Sequence, residues 1–329
     1  MKSFDYAEPR TESEVVALLS EHAGRAEVLA GGTDLVGLMK KMIIKPDLVV
    51  NIMEVESLQS IGPQEDGSFS IGAAVTLDDL LAHPYLENYP AISDAILGIN
   101  SMQLQAQGTI GGEICQKPRC WYYRNGQGLL DQESQVSEGD NRLHAILGNQ
   151  GPAKFVSSSR IGPALIALDA QLRIVGPGDQ QHFVPVADFF VTPRHADQRE
   201  MKLGADQLLT HILLPARDNS FNATYEVRHG EGPDYPLAAA AVSLEISTSG
   251  RVEDAMVVLG QVAPTPWISH EAAQTLVGST LNESLAEAAG DAAVLQATPL
   301  SDNEYKVQLA RVAVKRAILR AAGFETGGF

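Results

Sequence analysis

The stretch Val28–Leu35 reads Val-Leu-Ala-Gly-Gly-Thr-Asp-Leu and indicates the fold of the N-terminal part of the chain. An apolar strand runs into a Gly-Gly turn, and an apolar helical segment follows. Glycines allow backbone N–H groups to approach a diphosphate closely, and the start of a helix favours negative charge. The stretch therefore predicts a diphosphate site, although an ordinary strand-to-helix turn has the same local pattern. It matches neither G-x-G-x-x-G nor the Walker A pattern, which disfavours a Rossmann site and a P-loop.

A second pair of glycines occurs in Gly108–Gly112, which reads Gly-Thr-Ile-Gly-Gly. Its threonine hydroxyl and its glycine backbone suit a second part of the same diphosphate. Two such loops in one chain are a stronger indication than either loop alone. Neither of them specifies the ligand by itself.

The order of the remaining elements predicts a mixed fold. Thr11 and Glu14 form the pattern of a capping box, which predicts a first helix. The periodic spacing of apolar residues, together with the turn residues between them, predicts strands at 27–30, 48–52, 68–73, 171–175, 208–214, 238–246 and 255–262. It also predicts Ala-rich helices between 270 and 296. Short strands alternate with helices in the first 90 residues, as in α+β or α/β proteins. We expect three units, residues 1–60, 61–220 and 221–329.

Residues 118–151 have no periodicity, are mostly polar and contain five glycines. This pattern predicts a long loop, and such loops in compact domains are usually functional. The two cysteines of the chain, Cys115 and Cys120, lie just before the loop and in it. Two are too few for a disulfide framework or a four-cysteine metal site. We interpret them as structural thiols, with a redox role as the alternative.

The composition indicates an ordinary globular protein, with 44% apolar and 20% charged residues and a formal net charge of −17. The negative charge disfavours nucleic acid and anionic membrane surfaces as partners. No apolar run reaches the length of a membrane span. The segment Met1–Tyr6 lacks the basic and apolar pattern of a signal peptide. We therefore expect a cytoplasmic location, or a periplasmic one only if an exported partner carries the chain.

The last predicted helix starts near Ser301 and Glu304, which form a second capping-box pattern. It carries five cations, namely Lys306, Arg311, Lys315, Arg316 and Arg320. A solvated helix face explains this cluster, and a docking surface for an acidic partner is the alternative.

The segments Ala30–Leu35 and Lys45–Ile52 resemble the opening of the FAD-binding subunits of molybdenum hydroxylases. That family includes the medium subunits of xanthine dehydrogenase, carbon monoxide dehydrogenase and aldehyde oxidoreductase. The resemblance continues, in the family's order, through Gly108–Gly112, Pro118–Arg124, Gly162–Ala170, Val262–Trp267 and Pro299–Val307. It therefore covers nearly the whole chain. The Arg-Cys-Trp-Tyr of the middle loop is similar to the aldehyde oxidoreductase branch.

The resemblance implies a fold of the vanillyl-alcohol-oxidase type, in which two α+β subdomains bind FAD and an antiparallel sheet with helices follows. It implies non-covalent FAD whose diphosphate lies on the first glycine loop, formed by Val28, Leu29, Ala30, Gly31, Gly32, Thr33, Asp34 and Leu35. The second loop would lie along the diphosphate and the flavin, with Thr109, Ile110, Gly111, Gly112 and the adjoining Glu113. By the same resemblance, Ile99 and Leu203 would be the apolar side chains that pack near the isoalloxazine ring.

Three residues depart from the family's pattern. Glu113 stands where the family usually has Asn, Arg160 where Asp is usual, and Glu226 where many members have a Lys close to the flavin. A Lys at that place favours anionic flavin, so its loss should make the flavin less oxidising. The departures also raise the alternative that the site has lost FAD.

A [4Fe-4S] cluster in the middle loop, bound by four cysteines, is a feature of the related branch. Cys120 is the only cysteine between residues 118 and 151, so we expect neither a cluster nor iron in this chain. Without a cluster or an apolar core, the loop is expected to be mobile or to have few internal hydrogen bonds. Iron analysis of the purified chain tests the first expectation, since about four irons per chain would contradict it.

The resemblance implies an electron-transfer subunit of a heterotrimeric enzyme. A large molybdopterin subunit would oxidise the organic substrate, and a small subunit with two [2Fe-2S] clusters would pass electrons to the FAD. The FAD would deliver them to NAD, oxygen or a quinone. Two alternatives stay open, a stand-alone flavin oxidase or reductase of the same fold superfamily and a scaffold subunit without FAD.

Overall fold

The computed structural model describes residues 1–22, 24–216 and 220–326. In these ranges the strands form three sheets, and each sheet belongs to a different part of the chain. The N-terminal sheet contains β1 (Asp5–Ala7), β2 (Ala26–Leu29) and β3 (Leu48–Asn51), which are parallel with β3 in the middle. It packs against α1 (Glu12–Glu21), and α2 (Leu35–Lys40) follows β2.

Local signals explain these first elements. The side chain of Thr11 accepts the N–H of Glu14, and the carboxylate of Glu14 accepts the N–H of Thr11, so the predicted capping box is confirmed. The apolar stripe of α1 buries Val15, Val16 and Leu19 against the sheet. The first glycine loop therefore starts from an edge strand, β2, which pairs with β3 and contacts α1.

The middle sheet is antiparallel and has the order β4-β5-β8-β6-β7. Its strands are β4 (Ile61–Pro63), β5 (Phe69–Gly72), β6 (Gln171–Gly176), β7 (Gln180–Pro185) and β8 (Leu208–Leu214). The helices of this part are α3 (Leu77–Ala82), α4 (Pro90–Leu97), α5 (Met102–Gln107), α6 (Ile110–Cys115), α7 (Trp121–Arg124), α8 (Gly162–Ala167) and α9 (Val186–Phe189). Three short 3-10 helices lie at Glu56–Gln59, Pro84–Asn88 and Pro177–Asp179. The sheet and α4, α6 and α8 bury one apolar core, which brings the second glycine loop next to the first.

The C-terminal sheet is antiparallel, with the order β12-β11-β10-β9. Its elements are β9 (Ser220–Val227), β10 (Ala238–Ile246), β11 (Val252–Gly260), β12 (Trp267–Ile268), α10 (His270–Leu276), α11 (Glu283–Ala293) and α12 (Tyr305–Ala321). Small alanine side chains on β10 and α12 pack in one buried cluster, which lets the helix lie close to the sheet. The predicted α+β fold with a C-terminal antiparallel sheet and helices is confirmed.

The predicted start of the last helix is wrong. The helix begins at Tyr305, and Glu304 precedes it in helical conformation without a side-chain cap. The hydroxyl of Ser301 instead accepts a hydrogen bond from the Asn141 amide at 2.8 Å. A long-range contact has therefore replaced the local capping box.

The five cations of α12 bond within the chain, so they form no free cationic face. Lys306 is 1% exposed and donates to three backbone carbonyls. Arg316 donates to the Tyr225 hydroxyl, and Arg320 donates to the Thr224 carbonyl and pairs with Asp94. Lys315 pairs with Glu283 and Glu287, and Arg311 pairs with Asp291.

The expectation that the loop 118–151 has few internal hydrogen bonds is wrong. The carboxylate of Asp131 accepts the N–H groups of Val136 and Ser137 at 2.8 and 3.3 Å. The buried amide of Asn141 donates to three carbonyls of the same loop, those of Val136, Ser137 and Gly139. Side-chain amides and carboxylates thus replace the missing apolar core.

Among the described helices, none is both long and apolar enough to cross a bilayer.

Candidate functional site

Two cavities meet at the two glycine loops. The first has about 1170 Å³ of open space, and it lies between the N-terminal sheet and β8. The second has about 510 Å³ and lies between α5, α6 and the loop around Tyr235. They share the wall residues Thr33, Asp34, Thr109, Gly112 and Gln116.

The structure brings most of the predicted site residues to these cavities. The first cavity alone is lined by Val28, Ala30, Gly31, Gly32, Leu35, Gly111 and Leu203. The second alone is lined by Ile99 and Glu113. Leu29 and Ile110 line neither cavity. Ile99 and Leu203, which were predicted to share the surroundings of one ring, therefore lie in different cavities.

The first glycine loop presents four consecutive backbone donors. The N–H groups of residues 31–34 make no hydrogen bond within the part of the chain that the structure describes. Gly32 has φ +70°, a backbone conformation that side chains other than glycine rarely adopt. Successive N–H groups in such a turn form a concave site for an anion.

The second glycine loop has a different role, because its donors are already used. Ile110 and Gly111 donate their N–H groups to the carbonyls of Val75 and Ala73, at 2.9 and 3.0 Å. Gly112 donates to the hydroxyl of Thr109 at 3.1 Å. This loop forms the floor of the site, and the free donors belong to the first loop.

The two glycine loops touch at Gly31. A Cβ atom at this position would lie 1.7 Å from the carbonyl oxygen of Gln107, well inside van der Waals contact. Only glycine fits this junction. The close approach places the free donors of the first loop beside Thr109 and Gly112 of the second.

Asp34 fixes the loops in place and is not directed at a ligand. Its carboxylate accepts the N–H of Lys117 at 2.8 Å and pairs with Arg124 at 2.7 Å and with Arg119 at 3.4 Å. It thus connects the first glycine loop to the start of the loop 118–151. The carboxylate of this motif residue therefore has a positioning role.

The three departures from the family's pattern lie together at the second cavity, which Glu113 and Arg160 line. Arg160 pairs with Glu226 at 3.4 Å, with both side chains almost fully buried. The N–H of Arg160 donates to the Glu113 carboxylate at 2.7 Å. Burial raises the pKa of Glu226, and Arg160 opposes that rise. Burial also raises the pKa of Glu113 to about 7, against the opposing effects of Arg160 and Arg119.

Several residues of the site carry no sequence signal. Tyr235 lines the second cavity, lies under the guanidinium groups of Arg119 and Arg160, and donates its hydroxyl to Gln116. Lys117 lines the first cavity and pairs with the partly buried Glu200. Glu27 also lines the first cavity, where burial raises the pKa of its carboxyl. None belongs to a motif, although Glu27 directly precedes the first one.

The two cysteines are in surroundings that favour the thiol. Burial raises the pKa of Cys115 to about 12 and also raises the pKa of Cys120. Cys120 Sγ lies 3.1 Å from Nε2 of His144, whose pKa burial lowers to about 4, so the pair is neutral. Thiolate chemistry is disfavoured at both positions. Within residues 1–22, 24–216 and 220–326, no three His, Cys, Asp or Glu side chains form a possible metal site.

Comparison with known protein families agrees with this geometry. Residues 2–217 match the family described as the FAD binding domain in molybdopterin dehydrogenase. Residues 223–321 match the CO dehydrogenase flavoprotein C-terminal domain. The glycine loops and both cavities lie in the first match, apart from Pro233 and Tyr235.

Individual relatives are similar along nearly their whole length. The aldehyde oxidoreductase FAD-binding subunit PaoB of Escherichia coli is 29% identical over 318 residues, covering 94% of this chain and 96% of PaoB. The carbon monoxide dehydrogenase medium chain of Afipia carboxidovorans is 29% identical over 325 residues, covering 97% and 96%. The solved structure of carbon monoxide dehydrogenase from Hydrogenophaga pseudoflava aligns with a TM-score of 0.76 and 25% identity, over 97% of each chain. The chain therefore belongs to the family of FAD-binding subunits of molybdenum hydroxylases.

Proposed function

We propose that this chain binds one FAD across both cavities and serves as an electron-transfer subunit. The observation that carries the proposal is the run of four free N–H groups at residues 31–34, which begins in the first cavity and reaches the shared wall at Thr33 and Asp34. A diphosphate at this wall would direct one half of a dinucleotide into each cavity. Backbone donors in a row bind phosphate oxygens without a cation.

The chemistry of the cavities suggests which half lies where. The second cavity offers guanidinium, amide and hydroxyl groups, from Arg160, Gln116 and Tyr235. These suit the polar edge of an isoalloxazine ring. The first cavity has mainly apolar walls with Glu27 among them, which suits adenine and the hydroxyls of a ribose. The proposed assignment puts Ile99 at the ring and Leu203 at the adenosine half.

When bound, FAD would supply the exchange of electrons between one-electron and two-electron partners. The chain's own residues would hold it in place, and FAD would occupy both of the cavities described above, which leaves neither of them for a separate organic substrate. This favours a relay over a stand-alone oxidase. In the proposed complex, a small subunit with two [2Fe-2S] clusters donates electrons, and a molybdopterin subunit oxidises the substrate. NAD, oxygen or a quinone is the final acceptor.

The contacts that Glu113, Arg160 and Glu226 make with one another argue against the alternative of a scaffold without FAD. A decaying site would leave unmatched charges, which are costly when buried. Here Arg160 and Glu226 neutralise each other, and Arg160 also donates to the Gly98 carbonyl at 2.8 Å. Arg160 and Glu226 therefore compensate each other in charge, although neither carboxylate oxygen of Glu226 accepts a hydrogen bond in the described chain.

We expect the purified protein to be yellow, with about one FAD per chain that denaturation releases. After FAD removal, AMP and FMN should each compete with FAD but should bind together, because each carries one of the two phosphates of FAD and occupies its own cavity. Binding is measured by calorimetry. A colourless protein that stays free of flavin after incubation with FAD would contradict the FAD assignment.

Leu203→Trp tests the assignment of the halves. The larger side chain fills part of the first cavity, so AMP and FAD should bind about tenfold more weakly, a loss of about 1.4 kcal/mol. FMN should bind as before. Leu295→Trp is the matched control, because Leu295 is 73% exposed and lies far along the sequence in the C-terminal part. Weaker FMN binding with unchanged AMP binding would reverse the assignment.

A further inference from the structure

The wall of the second cavity carries four charged side chains from four separate segments. Asp34 comes from the first glycine loop, Glu113 from α6, Arg119 from the segment after α6 and Arg160 from the segment before α8. Glu226 of β9 pairs with Arg160 but does not line the cavity itself. Together with Tyr235, these are the charged or titratable groups that face Glu113. How their charges are paired determines which of them can exchange a proton.

Both arginines pair with a carboxylate other than Glu113, although Arg119 shares its partner Asp34 with Arg124. Arg160 pairs with Glu226 at 3.4 Å and donates to the carbonyls of Gly98 and Asp234, which fixes its guanidinium. Arg119 pairs with Asp34 at 3.4 Å. Burial raises the pKa of Tyr235 to about 12, so this phenol stays neutral.

Glu113 is left without a cation of its own. Its carboxylate accepts the backbone N–H of Arg160, and it forms no ion pair with any residue in the described ranges. The side chain is partly exposed to the second cavity, so water reaches it there. Its pKa of about 7 already lies far above that of an ordinary glutamate, because of burial.

Filling the cavity changes these surroundings in one direction. A bound ring displaces water from the carboxyl, and this loss of hydration disfavours the charged form. A diphosphate at the shared wall also brings negative charge next to Gly112, the neighbour of Glu113. Both effects favour the protonated acid.

We propose that FAD binding to this chain takes up one proton, and that the carboxyl group of Glu113 receives it. The proposal rests on the proposed function, since it requires FAD in the second cavity. It makes Glu113 a proton-linked determinant of FAD affinity. A protonated Glu113 also offers an O–H donor to the ring's polar edge, which a carboxylate cannot do.

The direction of the pH dependence follows from linkage. If FAD raises the pKa of Glu113, the complex holds more protons than the free protein above about pH 7. The dissociation constant of FAD should then be constant below that pH. Above it, the constant should rise by up to about tenfold per pH unit, until the carboxyl of the complex also ionises.

Calorimetry of FAD binding to the FAD-free protein, from about pH 6 to about pH 8.5, tests this directly. Buffers with different ionisation enthalpies give the number of protons taken up, which should approach one near the upper end. The wild-type protein alone provides this readout. In this range neither the diphosphate nor the ring of FAD titrates.

Glu113→Gln keeps the carbonyl oxygen that accepts the Arg160 N–H. This variant should bind FAD with no proton uptake, and its affinity for FAD should not depend on pH in this range. Glu65→Gln, an exposed residue in the β4–β5 turn, should behave like the wild type. FAD binding without proton uptake in the wild type would overturn the proposal, and so would uptake that persists in Glu113→Gln. Absence of FAD binding at every pH would instead contradict the proposed function.

Discussion

Gly31→Ala should lower the affinity for FAD about 100-fold, although it adds a single methyl group. The Cβ atom would lie 1.7 Å from the Gln107 carbonyl oxygen and 2.7 Å from its carbonyl carbon, so the two glycine loops must separate. Backbone atoms on both sides leave no flexible side chain to give way. A displacement of about 1 Å in a binding site can cost about two orders of magnitude. The measurement is FAD content after purification, followed by titration of the FAD-free protein.

Gly37→Ala is the matched control, six residues further along. Gly37 lies within α2, and a Cβ there would meet no atom within 4 Å. Alanine favours helix over glycine by about 1 kcal/mol, so this variant should keep its FAD and be slightly more stable. Equal FAD content in the two variants would show that contact between the loops does not determine binding.

Substitutions at Gly32 and at Gly111 should act differently from Gly31→Ala and from each other. Gly32 has a positive φ, so a valine there would strain the loop that carries the free donors. Gly111 packs against Ala73 and uses its N–H within the chain. A substitution there would act through packing, and loss of FAD would accompany loss of stability.

The sequence allowed prediction of those features that short-range patterns determine. The strand predicted at 208–214 is β8 (Leu208–Leu214), because apolar period and strand length are local properties. The glycine loops could be recognised as candidate binding loops for a similar reason, because glycine occurs where the backbone must turn sharply or approach a ligand closely. That they meet at Gly31 and Gln107 could not be read from either motif.

Features that depend on long-range side-chain contacts were missed. Lys117 and Glu200 are 83 residues apart, and Asn141 and Ser301 are 160 residues apart. A polar segment without periodicity predicts a loop with few bonds, because its partners elsewhere in the chain are unknown. The three departures from the family's pattern were each considered alone, whereas Arg160 contacts both glutamates.

Lys306→Met should destabilise the C-terminal part and release the loop 118–151. The amine of Lys306 donates to the carbonyls of Leu143, His144 and Gln261, at 3.2, 3.1 and 2.8 Å. Burial lowers its pKa to about 7, and the three acceptors favour the protonated form, which alone offers three N–H donors. This one side chain thus joins α12 to the loop and to the end of β11.

The size of the effect follows from which carbonyls lose their donor. The His144 carbonyl keeps a bond from the Asn303 amide at 3.1 Å, while those of Leu143 and Gln261 keep no other partner in the described chain. Each buried carbonyl left without a donor costs about 1–3 kcal/mol. Removing a buried charge offsets part of this cost. We therefore expect a loss of about 2–3 kcal/mol in the free energy of unfolding.

Thermal unfolding by circular dichroism, together with limited proteolysis of the loop, measures both consequences of Lys306→Met. Lys315→Met removes a cation from the same helix, but its partners Glu283 and Glu287 are mostly exposed. Such a pair contributes about 0–1 kcal/mol, so this control should unfold close to the wild type and resist cleavage. If Lys306→Met were as stable and as resistant as Lys315→Met, the buried amine would not be what fixes the loop. The hydrogen bonds of Asn141 and Asn303 would then have to suffice, together with those that Thr298 makes to Ile146 and Asn149, because they also join the loop to the segment that precedes α12.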